Sequence, residues 1–429
     1  MNSRAIRSIH ARRVWDSRGR PTVEAEVALH DGAVGRAIVP AGASRGTREA
    51  LELRDATTRF GGLDVTQAVD NVNGEITRAL TGSAADDQGA LDSRLIELDG
   101  TQAKTRVGAN ATLAVSMAAA HAAANSLGIP LYEYLGGVDA VLLPMPQIQI
   151  FGGGAHAGRR VDVQDFMIVC PGATSFREAL EWTAEVYRSA GELMKTRGAN
   201  HGVADEGGWW PDFATNEQAI ETLVQAIELA GFAPAAQISI ALDIAASEFG
   251  RGGRYTLGLE SRQLDSDGLI EMLLRWIDTY PIASIEDPLA EDDRDGFARF
   301  TRAAGQRVQI VGDDFLVSHA PLVRAAAASG AANAVLLKPN QRGTLTETLQ
   351  AWHAARDAGY AGIVSARSGE TEDTTIVHLA IGWGTGQLKV GSFARGERMA
   401  KWNEALRIEE RLGARARFAG ANVFGRNPA

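Results

Sequence analysis

The sequence predicts an α/β chain whose second part is built like a (β/α)8 barrel. Three observations predict it: short apolar runs recur, each closes on or beside a charged residue, and helical stretches separate them. The runs are Val161–Val169, Ile238–Ile244, Ile282–Asp287, Val308–Asp314, Ala334–Lys338, Gly362–Arg367 and Gln387–Val390. Continuous apolar runs of this length suit parallel strands buried on both faces. Asp313 to Lys338 spans 25 residues and Lys338 to Arg367 spans 29, room for one helix and one strand each. Thr215-Asn-Glu-Gln218 has capping-box spacing and marks one helix start. An open doubly wound sheet shares this grammar.

The first part is mixed. Thr22 to Leu29 alternates like a strand and Gly35 to Val39 reads as another. A Gly- and Ser-containing loop, Pro40 to Gly46, follows, and alanine-rich helical patterns run from about Val65 to Leu127. Gly-Ile-Pro130 and Gly-Gly-Val138 break that signal, so the expected division is 1–135 and 136–429.

Bulk properties exclude several function classes. The formal net charge of −10 disfavours a nucleic-acid surface, which needs a basic face. The single cysteine, Cys170, permits no intrachain disulfide and fits a reducing compartment. Met1 to Arg7 carries no apolar signal core. Ala111 to Gly128 is alanine interrupted by Ser116, His121 and Asn125, which suits a buried helix and not a membrane span. A cytoplasmic protein with no nucleic-acid or membrane partner is expected.

The charged residues at the run ends carry the chemical argument. In a barrel the C-terminal ends of the strands converge on one face. Asp243, Glu286, Asp313, Lys338, Arg367 and Lys389 would then meet although far apart in sequence. Any one acid serves equally well as a helix cap or a structural ion pair. Three together repel unless a cation intervenes, and all-oxygen ligation favours magnesium over zinc. Only five of 43 basic residues are lysine, so Lys338 and Lys389 inside apolar runs stand out. A desolvated lysine can act as a base, whereas arginine stays protonated. Glu206 lies in an aperiodic loop, Ala-Asp-Glu-Gly-Gly-Trp, whose paired glycines suit a ligand or an ordinary turn. The acidic run Glu291 to Asp295 reads as a solvated face or loop and is assigned no chemistry.

Nine segments, in order along the chain, carry a resemblance. They are Asp16-Ser-Arg-Gly19, Glu49-Ala-Leu-Glu-Leu-Arg-Asp55, Gly108-Ala-Asn-Ala111, Asp205-Glu-Gly-Gly208, Ser284-Ile-Glu-Asp-Pro288, Gly312-Asp-Asp314, Leu337-Lys-Pro-Asn-Gln341, Arg367-Ser-Gly-Glu-Thr-Glu-Asp373 and Leu406-Arg-Ile-Glu-Glu410. Together they resemble the enolase family over nearly the whole chain. The resemblance implies a small N-terminal α+β domain followed by an enolase-type (α/β)8 barrel, in a homodimer or an assembly of dimers. It implies a magnesium-dependent hydro-lyase acting on a small phosphorylated or phosphonylated hydroxy acid. Carried over by position, Asp243, Glu286 and Asp313 would bind one magnesium, and Ser44 a second that arrives with substrate. Lys338 would be the base at C2 and Glu206 the acid at the C3 hydroxyl. Lys389 would hold the substrate carboxylate, and Asp165 joins the catalytic set. His156, Gln164, Arg367 and Ser368 would face the substrate. Nearby cations would lower the Lys338 pKa and favour the neutral amine.

Four departures from the family pattern are visible. Ala41-Gly-Ala-Ser-Arg-Gly46 stands for Ser-Gly-Ala-Ser-Thr-Gly, and Gly152-Gly-Gly-Ala-His156 for Asn-Gly-Gly-Ser-or-Glu-His. Asp165 replaces a glutamate, and Ala366 replaces the histidine of Ser-His-Arg-Ser. The chemistry-bearing residues stay while the shell around them changes, which suggests an altered substrate. Within the family this resembles the carboxyphosphonoenolpyruvate synthases of phosphinothricin-type biosynthesis, which use a phosphonoformyl group in place of phosphate. Ala366, Ala155 and Ala41 would supply space and Arg45 a cation. Glycolytic enolase is the alternative, and a non-catalytic binding protein of enolase descent is a third reading.

Overall fold

Strands Ile6–Trp15, Pro21–Leu29 and Val34–Ile38 form an antiparallel meander in a computed structural model that describes residues 3–199 and 202–424. The helix Ala109–Leu127 lies across the meander, and 15 of its 19 side chains are buried, on every face. Alanine makes this possible, because a helix without bulk can be approached closely from all sides. The approach is closest at Gly35: a Cβ there would lie 2.1 Å from the Ala118 carbonyl oxygen and 2.1 Å from the Ala122 nitrogen.

Eight strands close the barrel: Met145–Gly152, Asp165–Val169, Ser239–Asp243, Ile282–Glu286, Gln309–Gly312, Ala334–Leu337, Ala361–Ser365 and Gly386–Ser392. Neighbours in sequence are neighbours in space, and the eighth pairs with the first. The helices between them start where sequence signals place them. Thr215 caps Asn216–Leu229 by accepting from the Gln218 amide. Ser175 caps Phe176–Thr196 in the same way.

The expectation of uniformly parallel strands fails at one place. The second strand runs antiparallel to both the first and the third. The first strand is absent from the expected set because Met145-Pro-Gln-Ile-Gln-Ile-Phe-Gly152 is not a continuous apolar run. Its glutamines are nonetheless buried, since they find partners on the two neighbouring strands. The Gln147 amide donates to Gln387 Oε1 at 3.0 Å, and Gln149 donates to Asp165. Two expected strands also begin or end elsewhere: Val161–Gln164 is irregular, and Arg367 lies beyond its strand.

The acidic run is a turn leading into a helix, with Asp292, Arg294 and Asp295 exposed, and two of its acids also make structural ties. Asp293 caps the helix Arg294–Ala304 and accepts from the Tyr255 and Ser266 hydroxyls. Glu291 accepts the Thr47 amide at 3.1 Å, reaching the N-terminal loop. Cys170 is buried, and burial pushes its thiol up to about 12. No helix among the described residues is long and apolar enough to cross a membrane.

The Gly35 contact gives a direct test. Gly35→Ala drives a methyl into helix backbone that cannot rotate aside, and should destabilise the protein by about 1–3 kcal/mol. Urea denaturation measures this; an unchanged midpoint would show that helix and sheet are not held at this distance.

Candidate active site

Seven barrel strands end at one rim and the second strand starts there, so all eight deliver residues to the same place. Asp243 closes the third strand and Glu286 the fourth. Asp313 and Lys338 follow directly on the fifth and sixth. Arg367 stands just past the seventh, and Lys389 lies within the eighth. Asp165 opens the second strand directly opposite Asp243, a placement only the antiparallel direction allows.

Two lysines neutralise this ring. Lys389 Nζ donates to Asp243 Oδ2 at 2.7 Å and Glu286 Oε2 at 2.8 Å, and lies 3.2 Å from Asp165 Oδ2. Burial works against its charge, but Asp243, Glu286, Asp165 and Glu206 hold its pKa well above the usual lysine value. Lys338 Nζ pairs with Asp313, whose other oxygen accepts from Gln341 at 2.9 Å. Burial again opposes protonation and Asp313 outweighs it, so the Lys338 pKa is raised. That raised value belongs to the ion pair with Asp313; the lowering expected of Lys338 belongs to the site with magnesium bound beside it. Glu286 is pushed well above the carboxylate range, first by burial and then by Asp243.

The donor set fits a hard divalent cation. Its members are carboxylates, buried to 5% exposure or less, and Glu286 Oε1 has no hydrogen-bond partner. An ammonium already bridges two of them, which shows that positive charge is what the rim requires. Asp243, Glu286 and Asp313 are the residues that would hold the metal. The tight carboxylate group among the described residues is a different one, Asp287, Asp313 and Asp314, with oxygens within 4.8 Å of one another. Asp287 is committed there, accepting the Asp313 and Asp314 amides at 2.9 and 2.8 Å. The expected trio is less compact because lysine heads stand among its members.

The N-terminal loop closes over this rim. Ala41 and Gly369 exchange two backbone hydrogen bonds, at 2.8 and 2.9 Å. The Ala43 amide donates to Ser368 Oγ at 2.7 Å, and Arg18 donates to the same oxygen at 3.1 Å. Ser44, Gln164, Asp165, Glu206, Lys338, Arg367, Ser368 and Lys389 line one cleft. Gln164 also donates to Asp243 Oδ2 at 3.0 Å. The loop bearing Glu206 is pinned by Tyr187, whose hydroxyl donates to the Gly207 carbonyl at 2.9 Å.

Arg45 is not in the cleft lining. It is 38% exposed, with Glu49 at 4.0 Å and Glu52 at 3.8 Å. The His156 side chain lies outside the described residues, although its backbone forms part of a turn, Gly154–Ala157. Two participants escape sequence reasoning. Asp287 sits beside Glu286 in the Glu-Asp-Pro segment, so its proximity was readable. Glu49, bound to Arg367 across 318 residues, left no local signal.

Residues 6–135 match the family described as the enolase N-terminal domain, and residues 140–427 the enolase C-terminal TIM barrel domain. The chain belongs to the enolase family. Membership makes it an enzyme, in a family that typically depends on magnesium, and the buried acidic rim agrees with that chemistry.

Lys389 offers a test of the rim. Lys389→Met leaves Asp243, Glu286 and Asp165 without their shared cation and should cost about 3 kcal/mol or more in metal-free buffer. Magnesium should recover more stability in this variant than in the unmodified enzyme. Thermal melts with chelator and with magnesium read both; equal magnesium shifts in the two proteins would argue against a metal on these carboxylates.

Proposed function

We propose that this enolase-family enzyme is a magnesium-dependent hydro-lyase that converts 2-phosphonoformylglycerate to carboxyphosphonoenolpyruvate. The observation that carries the substrate reading is Ala366. It borders the cleft between Ser365 and Arg367, where the family pattern has a histidine. The missing imidazole leaves room at the phosphorus end for the extra carboxylate of a phosphonoformyl group.

The reaction needs a base, an acid and charge compensation. The C2 proton of a hydroxy-acid carboxylate is weakly acidic, and its removal leaves two negative charges. Magnesium, when bound, supplies positive charge beside that dianion. Asp313 is what keeps the amine protonated, so Lys338 takes the C2 proton as a free amine once that bond is relaxed and its own proton has passed to solvent. Glu206 delivers a proton to the departing C3 hydroxyl; it lines the same cleft as Lys338 but comes from a loop. Lys389 compensates the substrate carboxylate, held in place by Asp165.

Ordinary dehydration of 2-phosphoglycerate is the second reading. The outward position of Arg45 favours it, because no additional cation then faces the phosphorus end.

A direct competition separates the two. The enzyme should process 2-phosphonoformylglycerate with a kcat/KM on the order of tenfold above that for 2-phosphoglycerate. Equal or better turnover of 2-phosphoglycerate in an absorbance assay would establish the second reading instead. Turnover of neither, with magnesium present, would count against a catalytic role.

The base is tested separately. Lys338→Ala should abolish exchange of the substrate C2 proton with deuterium, whereas Glu206→Gln should slow water loss and leave that exchange measurable. Normal exchange in Lys338→Ala, followed by NMR, would mean that another group is the base.

A further inference from the structure

Arg367 lines the cleft, yet its guanidinium already carries an anion from its own chain. Nη1 donates to Glu49 Oε2 at 3.1 Å and Nη2 to Glu49 Oε1 at 3.2 Å. This is the two-pronged geometry in which arginine binds phosphate or carboxylate ligands. The pair is shut off from water, with side-chain exposures of 3% and 4%. Nη1 also donates to Asn340 Oδ1 at 3.1 Å, and Nη2 to the Ser44 carbonyl at 2.8 Å. Those four contacts engage all four hydrogens of the two Nη groups. Gly42 closes one side, where a Cβ would lie 1.9 Å from Nη2. Nε–H is the one donor outside this set, so a cleft-bound anion gains the two-pronged Nη seat of Arg367 only by replacing one of its present partners.

Glu49, whose Oε1 also accepts the Gly46 amide at 3.2 Å and Gln341 Nε2 at 3.4 Å, is the partner with a second cation to go to. Asn340 and the Ser44 carbonyl are uncharged and gain nothing from a second cation. Glu49 has one at hand, since Arg45 Nε stands 4.0 Å from its Oε2 on a side chain 38% exposed. We propose that Glu49 is a built-in competitor: it holds the anion seat of Arg367 until a sufficiently charged ligand drives it across to Arg45. This rests on reading Arg367 as the group that faces the phosphorus end of the substrate. It gives Arg45 a role its outward position supports, as receiver of the displaced carboxylate and not as a substrate ligand. It also makes Glu49 a specificity residue, because a weakly charged ligand cannot displace a buried, doubly bonded carboxylate.

The test is calorimetric titration of the full-length enzyme with inorganic phosphate. Glu49→Gln keeps the shape and removes the competing charge, and should tighten phosphate binding roughly fivefold or more. Arg45→Thr should weaken it by stranding Glu49 on Arg367. Arg367→Gln should weaken it too, and adding Glu49→Gln to that variant should change nothing further. If Glu49 merely orients Arg367, Glu49→Gln weakens phosphate binding; that result, or no change, overturns the proposal. Phosphate binding indifferent to Arg367→Gln would overturn both the proposal and the reading of Arg367, while the dehydration assay tests the hydro-lyase reading on its own. Should Glu49→Gln prove unstable, the rise in melting temperature on adding phosphate gives the same comparison: larger than in the unmodified enzyme supports the proposal, smaller or equal overturns it.

Discussion

Buried like charge is the constraint around which this molecule is organised. Asp165, Asp243, Glu286 and Asp313 are delivered to one end of the barrel, each nearly inaccessible to water. Moving one carboxylate out of water costs several kcal/mol, and each neighbour adds repulsion. The fold answers with Lys389 bridging three acids and Lys338 on the fourth. Both ammonium groups sit where positive charge is needed and can be relieved by a stronger cation. The charge balance that keeps the rim folded is thus also what makes it responsive to a metal.

The barrel architecture serves that balance. Reversal of the second strand is a departure from the uniform parallel pattern, and its effect is local: Asp165 enters the rim from the start of a strand, paired with Asp243. Below the rim the interior is partly polar. Gln147 meets Gln387, and Ser284 meets Gln309. Such pairs are tolerable in a closed barrel because partners on neighbouring strands face one another at fixed register. They lend the rim a stiff floor.

The N-terminal domain contributes to the same site through one loop. Ala41 to Ser44 is fastened to the segment 367–369 by backbone hydrogen bonds, Ser368 and Arg18. Glu291 fastens Thr47 from the barrel side. The loop is therefore held by many modest bonds and one buried ion pair, that of Arg367 with Glu49. Acids and lysines of the family pattern below, with an altered loop above, divide the site into a fixed charge balance and an adjustable mouth.

Much of this is legible in the sequence. Repeating runs with charged ends identify most barrel strands, and scarcity of lysine singles out residues that the fold buries. Four of the five lysines, Lys104, Lys338, Lys389 and Lys401, are buried on acidic partners. The motifs locate the acids, the lysines and the cleft, because local apolar patterning decides strand position and a strand end decides which rim a residue joins. What the sequence could not decide depends on contacts between distant segments. A strand with glutamines looks too polar to be buried until its partners on the neighbouring strands are known. Continuous apolar composition marks a strand buried on both faces without fixing its direction, since Asp165–Val169 is buried like its neighbours and runs antiparallel. Which charge stands nearest Lys338, the Asp313 carboxylate in this fold, is likewise decided by contact between separate strands. Arg45 and Arg367 look alike as cations in the sequence. Tertiary structure separates them: Glu49 reaches Arg367 across 318 residues and is buried with it, while Arg45, 4.0 Å from the same carboxylate, stays 38% exposed.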